Sequence, residues 1–125
     1  MLNRTSRIVR GDDYRSAVRR GRRSATAHVV VSVLPRSGTE PTRFGFIVSK
    51  AVGNAVTRNL VRRRCKAIAH DLLPEHPVGL DIVIRALPAA AQADWLTLVA
   101  DVTRCLDRSL ASLSGVAVSE RVRKA

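Results

Sequence analysis

Between Glu40 and Asp71 the chain contains no acidic residue, yet residues 58–66 carry Arg58, Arg62, Arg63, Arg64 and Lys66. That stretch lacks the i,i+4 ion pairs that usually offset like charges on a solvated helix. Its apolar residues nevertheless set a helical period. At about 100° per residue, Val61, Cys65, Ile68 and Leu72 fall within about 60° of arc, while Arg58, Asn59, Arg62, Arg63 and Lys66 spread over about 140° on the other side. The spacing predicts a helix over residues 54–73 with one face for a core and the other for an anion. Arg64 falls on the opposite flank. Gly53 is free to take an unusual turn conformation, Asn54 suits the N-cap, and Pro74 and Pro77 close the helix.

Over all 125 residues, 22 Lys and Arg oppose 10 Asp and Glu, a net charge of +12. The excess is one-sided: residues 1–66 hold 16 basic and 3 acidic side chains, and residues 67–125 hold 6 and 7. Such a field fits a polyphosphate partner, and Arg4, Arg7, Arg10, Arg15, Arg19, Arg20, Arg22 and Arg23 supply a second basic surface. An anionic membrane is the competing partner, but no strongly amphipathic basic helix with large aromatic anchors is present to lie in a bilayer interface. No apolar run approaches the roughly 20 residues of a membrane span, and the opening MLNRTSRIVRGDD lacks the apolar segment of a secretory signal. A cytoplasmic nucleic-acid-binding protein is expected.

The remaining chain reads as one small domain. Asp12 or Asp13 can cap a short helix bearing Tyr14, Ala17 and Val18 that stops at Gly21. Residues 26–34 and 43–49 are strand-like, and the polar connector between them suggests an antiparallel hairpin. Residues 79–87 (GLDIVIRAL) form a third strand ended by Pro88. From about residue 94 to 113, Trp95, Val99, Val102, Leu106, Leu110 and Leu113 recur at helical spacing. The order α-β-β-α-β-α describes a single α+β layer sandwich over residues 1–115, with 116–125 as a flexible tail.

Chemistry-bearing residues are sparse. Cys65 and Cys105 form no CxxC pair and lie on apolar stripes, as reduced core thiols do. His28, placed along a strand, His70 at a helix end and His76 between prolines form no catalytic or metal-ligating motif. A self-sufficient nuclease would need acid–base groups or a carboxylate cluster that this chain does not display. A ribosomal protein shares the size and charge and is the second rival.

The stretch FGFIVSKAVGNAVTRNLVRRRCKAIAH resembles the signature of the bacterial ribonuclease P protein, in which a strand ending in Ser-Lys leads through Gly-Asn-Ala-Val to a helix bearing Arg-Asn and further basic residues. Asp12, Asp13 and Tyr14 ahead of Gly21, the strand before Pro35 and the string GLDIVIRALP extend the similarity over about residues 4–113. The resemblance implies a two-layer, ribosomal S5 domain 2-like fold with the basic helix in a left-handed crossover, against the general right-handed preference. It implies that Lys50, Asn54, Arg58, Asn59, Arg62, Arg63 and Lys66 bind the catalytic RNA. Tyr14, Val18, Ser32 and Ser49 would line a cleft for the 5′ leader of precursor tRNA. No catalytic residue, metal ligand, stably bound cofactor, membrane or obligate protein partner belongs to this chain on that reading, and Mg²⁺ serves the RNA subunit. Relatives often carry aromatics where this chain has Val18, Val29 and Ser32, an arginine where it has Leu60, and basic residues where it has Ala86 and Leu87. Arg85 lies beside that last pair.

Overall fold

The computed structural model describes residues 2–124, with side chains through Leu113. The chain forms α1 (Gly11–Arg20), β1 (Arg22–Ala25), β2 (Val29–Pro35), β3 (Arg43–Ile47), α2 (Ala55–Leu72), β4 (Leu80–Ala86) and α3 (Trp95–Lys124), joined in places by short 3₁₀ turns. The basic helix, its apolar face and the third strand stand where the spacing put them. Asp12 and Asp13 occupy the first turn of α1, where they oppose the helix dipole, while Arg10 holds the N-cap position without a side-chain hydrogen bond. The backbone of α3 continues to Lys124, so the segment 116–125 read as a tail falls largely within that helix, and its side chains lie outside the described residues.

Two expectations about the sheet are corrected: it has four strands rather than three, so the order along the chain is α-β-β-β-α-β-α, and its pairing differs. Its order is β1-β2-β4-β3, with β4 antiparallel to β2 and parallel to β3, so residues 26–34 and 43–49 do not form a hairpin. The hairpin is instead β1 with β2, closed where Thr26 N–H donates to the Val29 carbonyl at 2.9 Å. Residues 26–28, His28 among them, make its turn. The string RRSA has little strand propensity, and β1 exists because β2 offers it an open edge, a tertiary effect outweighing a local one. The placement of β4 has a physical reason too. Asp81, Ile82, Val83 and Ile84 are all buried, and a strand that is apolar on both faces belongs inside a sheet rather than at its edge.

The two-layer expectation also changes. Val29, Val31, Val33, Ile82, Ile84 and Phe44 pack with Val61, Cys65, Ile68 and Leu72 of α2 and with Leu98, Val102 and Leu106 of α3. On the other face Val83 meets Ile8 and Ala17, with Tyr14, Val18, Leu34 and Ile47 around them, so α1 adds a small third layer. Trp95 lies at the start of α3 and is 39% exposed, outside the core that its stripe had suggested.

Two polar ties lock this arrangement. Arg43 of β3 grips Asp81 of β4 through Nε at 2.8 Å and Nη2 at 2.7 Å, and reaches Asp13 of α1 through Nη1 at 3.3 Å. These carboxylates, Asp81 foremost, hold the guanidinium above its ordinary value. At the far edge of the sheet, Asp101 of α3 accepts from Thr26 Oγ1 at 2.9 Å and pairs with His28 Nδ1 at 2.5 Å, fastening the hairpin turn to the helix.

Removing Arg43 would leave a buried carboxylate without its bidentate partner, so Arg43→Ala is expected to cost about 3 kcal/mol or more in urea unfolding. Arg43→Lys should recover only part of that, since an ammonium cannot bind both oxygens in the same way. Burial alone would raise the Asp101 carboxyl, but the His28 and Thr26 hydrogen bonds outweigh it and hold the group below its usual range. A carboxyl depressed in the folded state adds stability that is full above its unfolded value of about 3.9 and disappears as pH falls through the folded value. Asp101→Asn is therefore expected to lower stability at neutral pH and to flatten its decline below about pH 4, in unfolding curves recorded across that range.

Candidate nucleic-acid interface

The turn ahead of α2 is set by Gly53, whose φ of 157° and ψ of −165° lie in a region that essentially only glycine occupies. A Cβ there would stand 3.0 Å from Thr57. The turn delivers Asn54 to the N-cap, where its Oδ1 accepts from Thr57 N–H at 2.9 Å. Leu72 and the apolar stripe then anchor the helix, so its long cationic side chains are carried on a rigid element.

The cationic face stays free of carboxylates. Among the described residues, Arg58, Arg62, Arg63 and Lys66 take part in no ion pair, and the Arg62 guanidinium donates only to Asn59 Oδ1, at 3.2 Å. Arg58 is half-buried with its Nε unpartnered. Arg64 differs as its position on the helix anticipated: it donates to the Ala93 carbonyl at 3.2 Å and ties α2 to the approach to α3. Lys50, Ser49 and Asn54 are exposed at the N-terminal end of the same helix.

A second surface lies around α1. A hollow of about 300 Å³ is lined by Tyr14, Arg15, Val18, Arg19 and Ile47. Tyr14 is held in place from two sides: its hydroxyl accepts from Phe46 N–H at 3.2 Å, and its ring rests on Gly45, where a Cβ would come within 2.8 Å of Cζ. Tyr14 and Val18 are thus brought together beside β3. Ser32 is not with them at the surface, being only 3% exposed between β1 and β4. Ser49 belongs to the α2 end of the molecule rather than to this hollow. Arg85, the register partner of Ile47, is exposed on the sheet beside it.

Sequence reasoning missed the part played by the N-terminal segment. Arg7 pairs with Phe44 as a parallel bridge, and Ile8 N–H donates to the Phe44 carbonyl at 2.9 Å, so the segment runs along the outer edge of β3. Nothing in the local pattern of RTSRIVR announces this pairing. The buried Ile8 between exposed Arg7 and Val9 is the one trace of it in the sequence.

Other chemistry is accounted for by packing. Cys65 and Cys105 are buried free thiols, as expected, and burial pushes Cys65 up to about 11 and raises Cys105 as well, so neither is a poised thiolate. Among the described residues no three His, Cys, Asp or Glu side chains converge as a metal site, and no helix is long and apolar enough to cross a membrane.

A family model for ribonuclease P matches residues 2–110. The chain belongs to the ribonuclease P protein family. It is 50% identical over 113 residues to the ribonuclease P protein component of Clavibacter michiganensis subsp. michiganensis, covering 90% of this chain and 100% of that one. To the ribonuclease P protein component of Arthrobacter sp. strain FB24 it is 43% identical over 115 residues, or 92% and 85% of the two chains. The RNase P protein of Staphylococcus aureus superposes with a TM-score of 0.72 at 25% identity, over 82% of this chain and 93% of that one. The RNase P protein of Thermotoga maritima shares the fold, with a TM-score of 0.69 at 20% identity, over 78% and 92%. The α+β architecture with a four-stranded mixed sheet is therefore that of a ribonuclease P protein.

In this ribonuclease P protein the Tyr14 ring can lie flat only while residue 45 has no side chain. Gly45→Ala is expected to displace the ring, which a change in Tyr14 fluorescence and a lower melting temperature would reveal. Combining it with Tyr14→Ala should restore part of the stability, because the clash is then gone.

Proposed function

We propose that the chain assists a catalytic RNA in removing the 5′ leader of precursor tRNA, binding the RNA through α2 and the leader beside α1. Membership in the family makes it a ribonuclease P protein component. The observation that carries the RNA-binding assignment is the unpaired face of Arg58, Asn59, Arg62, Arg63 and Lys66 on a helix whose opposite face is buried. Lys50 and Asn54 extend that surface at the helix N-terminus, where the dipole favours phosphate. Tyr14 and Val18 supply the leader surface, Ser49 stands apart from it at the α2 end, and Ser32 contributes by shaping the strand beneath.

On this reading residues 1–115 act as one RNA-binding domain in the cytoplasm, with 116–125 appended. Phosphodiester hydrolysis belongs to the RNA and its Mg²⁺, and the protein needs neither its own cofactor nor an obligate protein partner. Its work is electrostatic: two polyanions must approach one another, and a cationic protein between them lowers that cost. The parallel β3–α2–β4 connection supports the ribosomal S5 domain 2-like assignment, and we read its crossover as left-handed.

Cleavage of precursor tRNA by ribonuclease P RNA at low Mg²⁺, with and without the protein, tests the assignment. Stimulation is expected. With about six phosphate contacts on single-stranded RNA, log K for the catalytic RNA should fall against log salt with a slope near −4. Arg58→Ala with Arg62→Ala should weaken assembly and make the slope shallower by about 1 to 2, whereas Tyr14→Ala should mainly weaken precursor relative to mature tRNA. A salt-independent complex would contradict the proposal.

A further inference from the structure

We propose that a slot at the outer edge of β3 holds a further, more distant nucleotide of the leader, stacked on Phe46 and held by Arg4 and Arg7, opposite the α2 cations that meet the catalytic RNA. The inference rests on the functional reading above and names a binding site beyond the α1 hollow. The slot has a volume of about 260 Å³, and its rim combines Arg4 and Arg7 of the N-terminal segment with Arg62 and Lys66 of α2. Tyr14 and Phe46 also line it.

Three observations favour a nucleotide over a bare anion. Arg4 and Arg7 line the trough from the N-terminal segment, across from the α2 cations given above to the catalytic RNA, an arrangement that fits a chain of phosphates passing where two RNAs meet better than a single ion. Among the described residues neither Arg4 nor Arg7 takes part in an ion pair, although Arg36 and Arg43 close by are both engaged with carboxylates. Phe46 is only partly buried and so keeps an accessible apolar surface, although it packs on the core. A base has a π-face to cover it, whereas inorganic phosphate does not.

Continuity favours the leader over the catalytic RNA. Tyr14 lines both this slot and the hollow with Val18 and Ile47, so a strand lying in one can pass directly to the other. The site also addresses the scarcity of aromatics in this chain, where Phe and Tyr number 2 and 1. Phe46 joins Tyr14 as a second stacking platform, reached from the sheet edge rather than from its face.

The test uses the holoenzyme and precursor tRNAs whose leaders are lengthened one nucleotide at a time. For the wild type, affinity should rise in two steps, as the leader first fills the α1 hollow and then reaches the slot. Arg7→Ala, at an exposed side chain, should lower the second step about threefold. Phe46→Leu keeps apolar volume but removes the ring, and should lower that step about tenfold, in line with base stacking. Both should leave the first step in place, with thermal unfolding and salt-titrated assembly confirming folded, RNA-competent protein. A single step in the wild type would overturn the slot. So would variants that lose nothing, or variants that weaken every leader length and assembly alike, which would give the trough to the catalytic RNA. A wild type indifferent to the leader altogether would instead sink the functional reading on which the slot depends.

Discussion

The burial of one side of α2 against the sheet is the constraint on which the rest depends. Val61, Ile68 and Leu72 are buried there, at about 1.5 to 3 kcal/mol each. Opposing them are the like-charge neighbours Arg58 with Arg62 and Arg62 with Lys66 at i,i+4, each costing only a few tenths of a kcal/mol in water. Burial wins by a wide margin, so the helix forms and its cations stay displayed without any counter-charge of their own. The same balance explains how a strongly basic surface coexists with an ordinary core: repulsion between exposed charges is screened, whereas the loss of apolar contact is not.

The rest of the fold serves to fix the α2 face and the α1 hollow, the two surfaces proposed for RNA, relative to one another. β4 lies between β2 and β3, so the strand leading into α2 is an edge strand, and its outer edge is available to Ile8 and to the Tyr14 hydroxyl. Arg43 ties α1 to β3 and β4 through Asp13 and Asp81. Tyr14 therefore reaches the same strand that carries the chain toward Ser49, Lys50 and α2. A change in the seating of α1 would be felt at the α2 end within a few residues.

Legibility in the sequence followed the range of the interaction. α2 could be placed from its apolar period and its acid-free run, and Asn54 from local capping chemistry, because each is decided within about a turn of helix. The core of the third strand was plain from GLDIVIRAL. Its seat in the middle of the sheet was also encoded there, in the absence of alternation, yet the short connector after Pro35 pointed to a hairpin instead. β1 and the Arg7–Phe44 bridge were not legible, since RRSA and RTSRIVR acquire strand geometry only from partners five or more residues away. Of the candidate site, the α2 residues emerge on one face and Tyr14 joins Val18, while Ser32 turns inward because a strand flanked on both sides and roofed by a helix leaves small side chains no access.

The arginines themselves divide into two populations that composition cannot separate. Each acidic residue of the first 66 is engaged by an arginine remote from the α2 face: Asp12 by Arg15, Asp13 by Arg43 and Glu40 by Arg36. Asp81, which unlike those three is buried, is claimed by Arg43 and Arg36. Those carboxylates are thus already engaged, and among the described residues none pairs with Arg58, Arg62, Arg63 or Lys66. An arginine that finds a buried carboxylate becomes part of the framework, and among the described residues none carried on α2 does so. The uncompensated charge of α2 is therefore carried on a rigid element, which is what the proposed contact with phosphates requires.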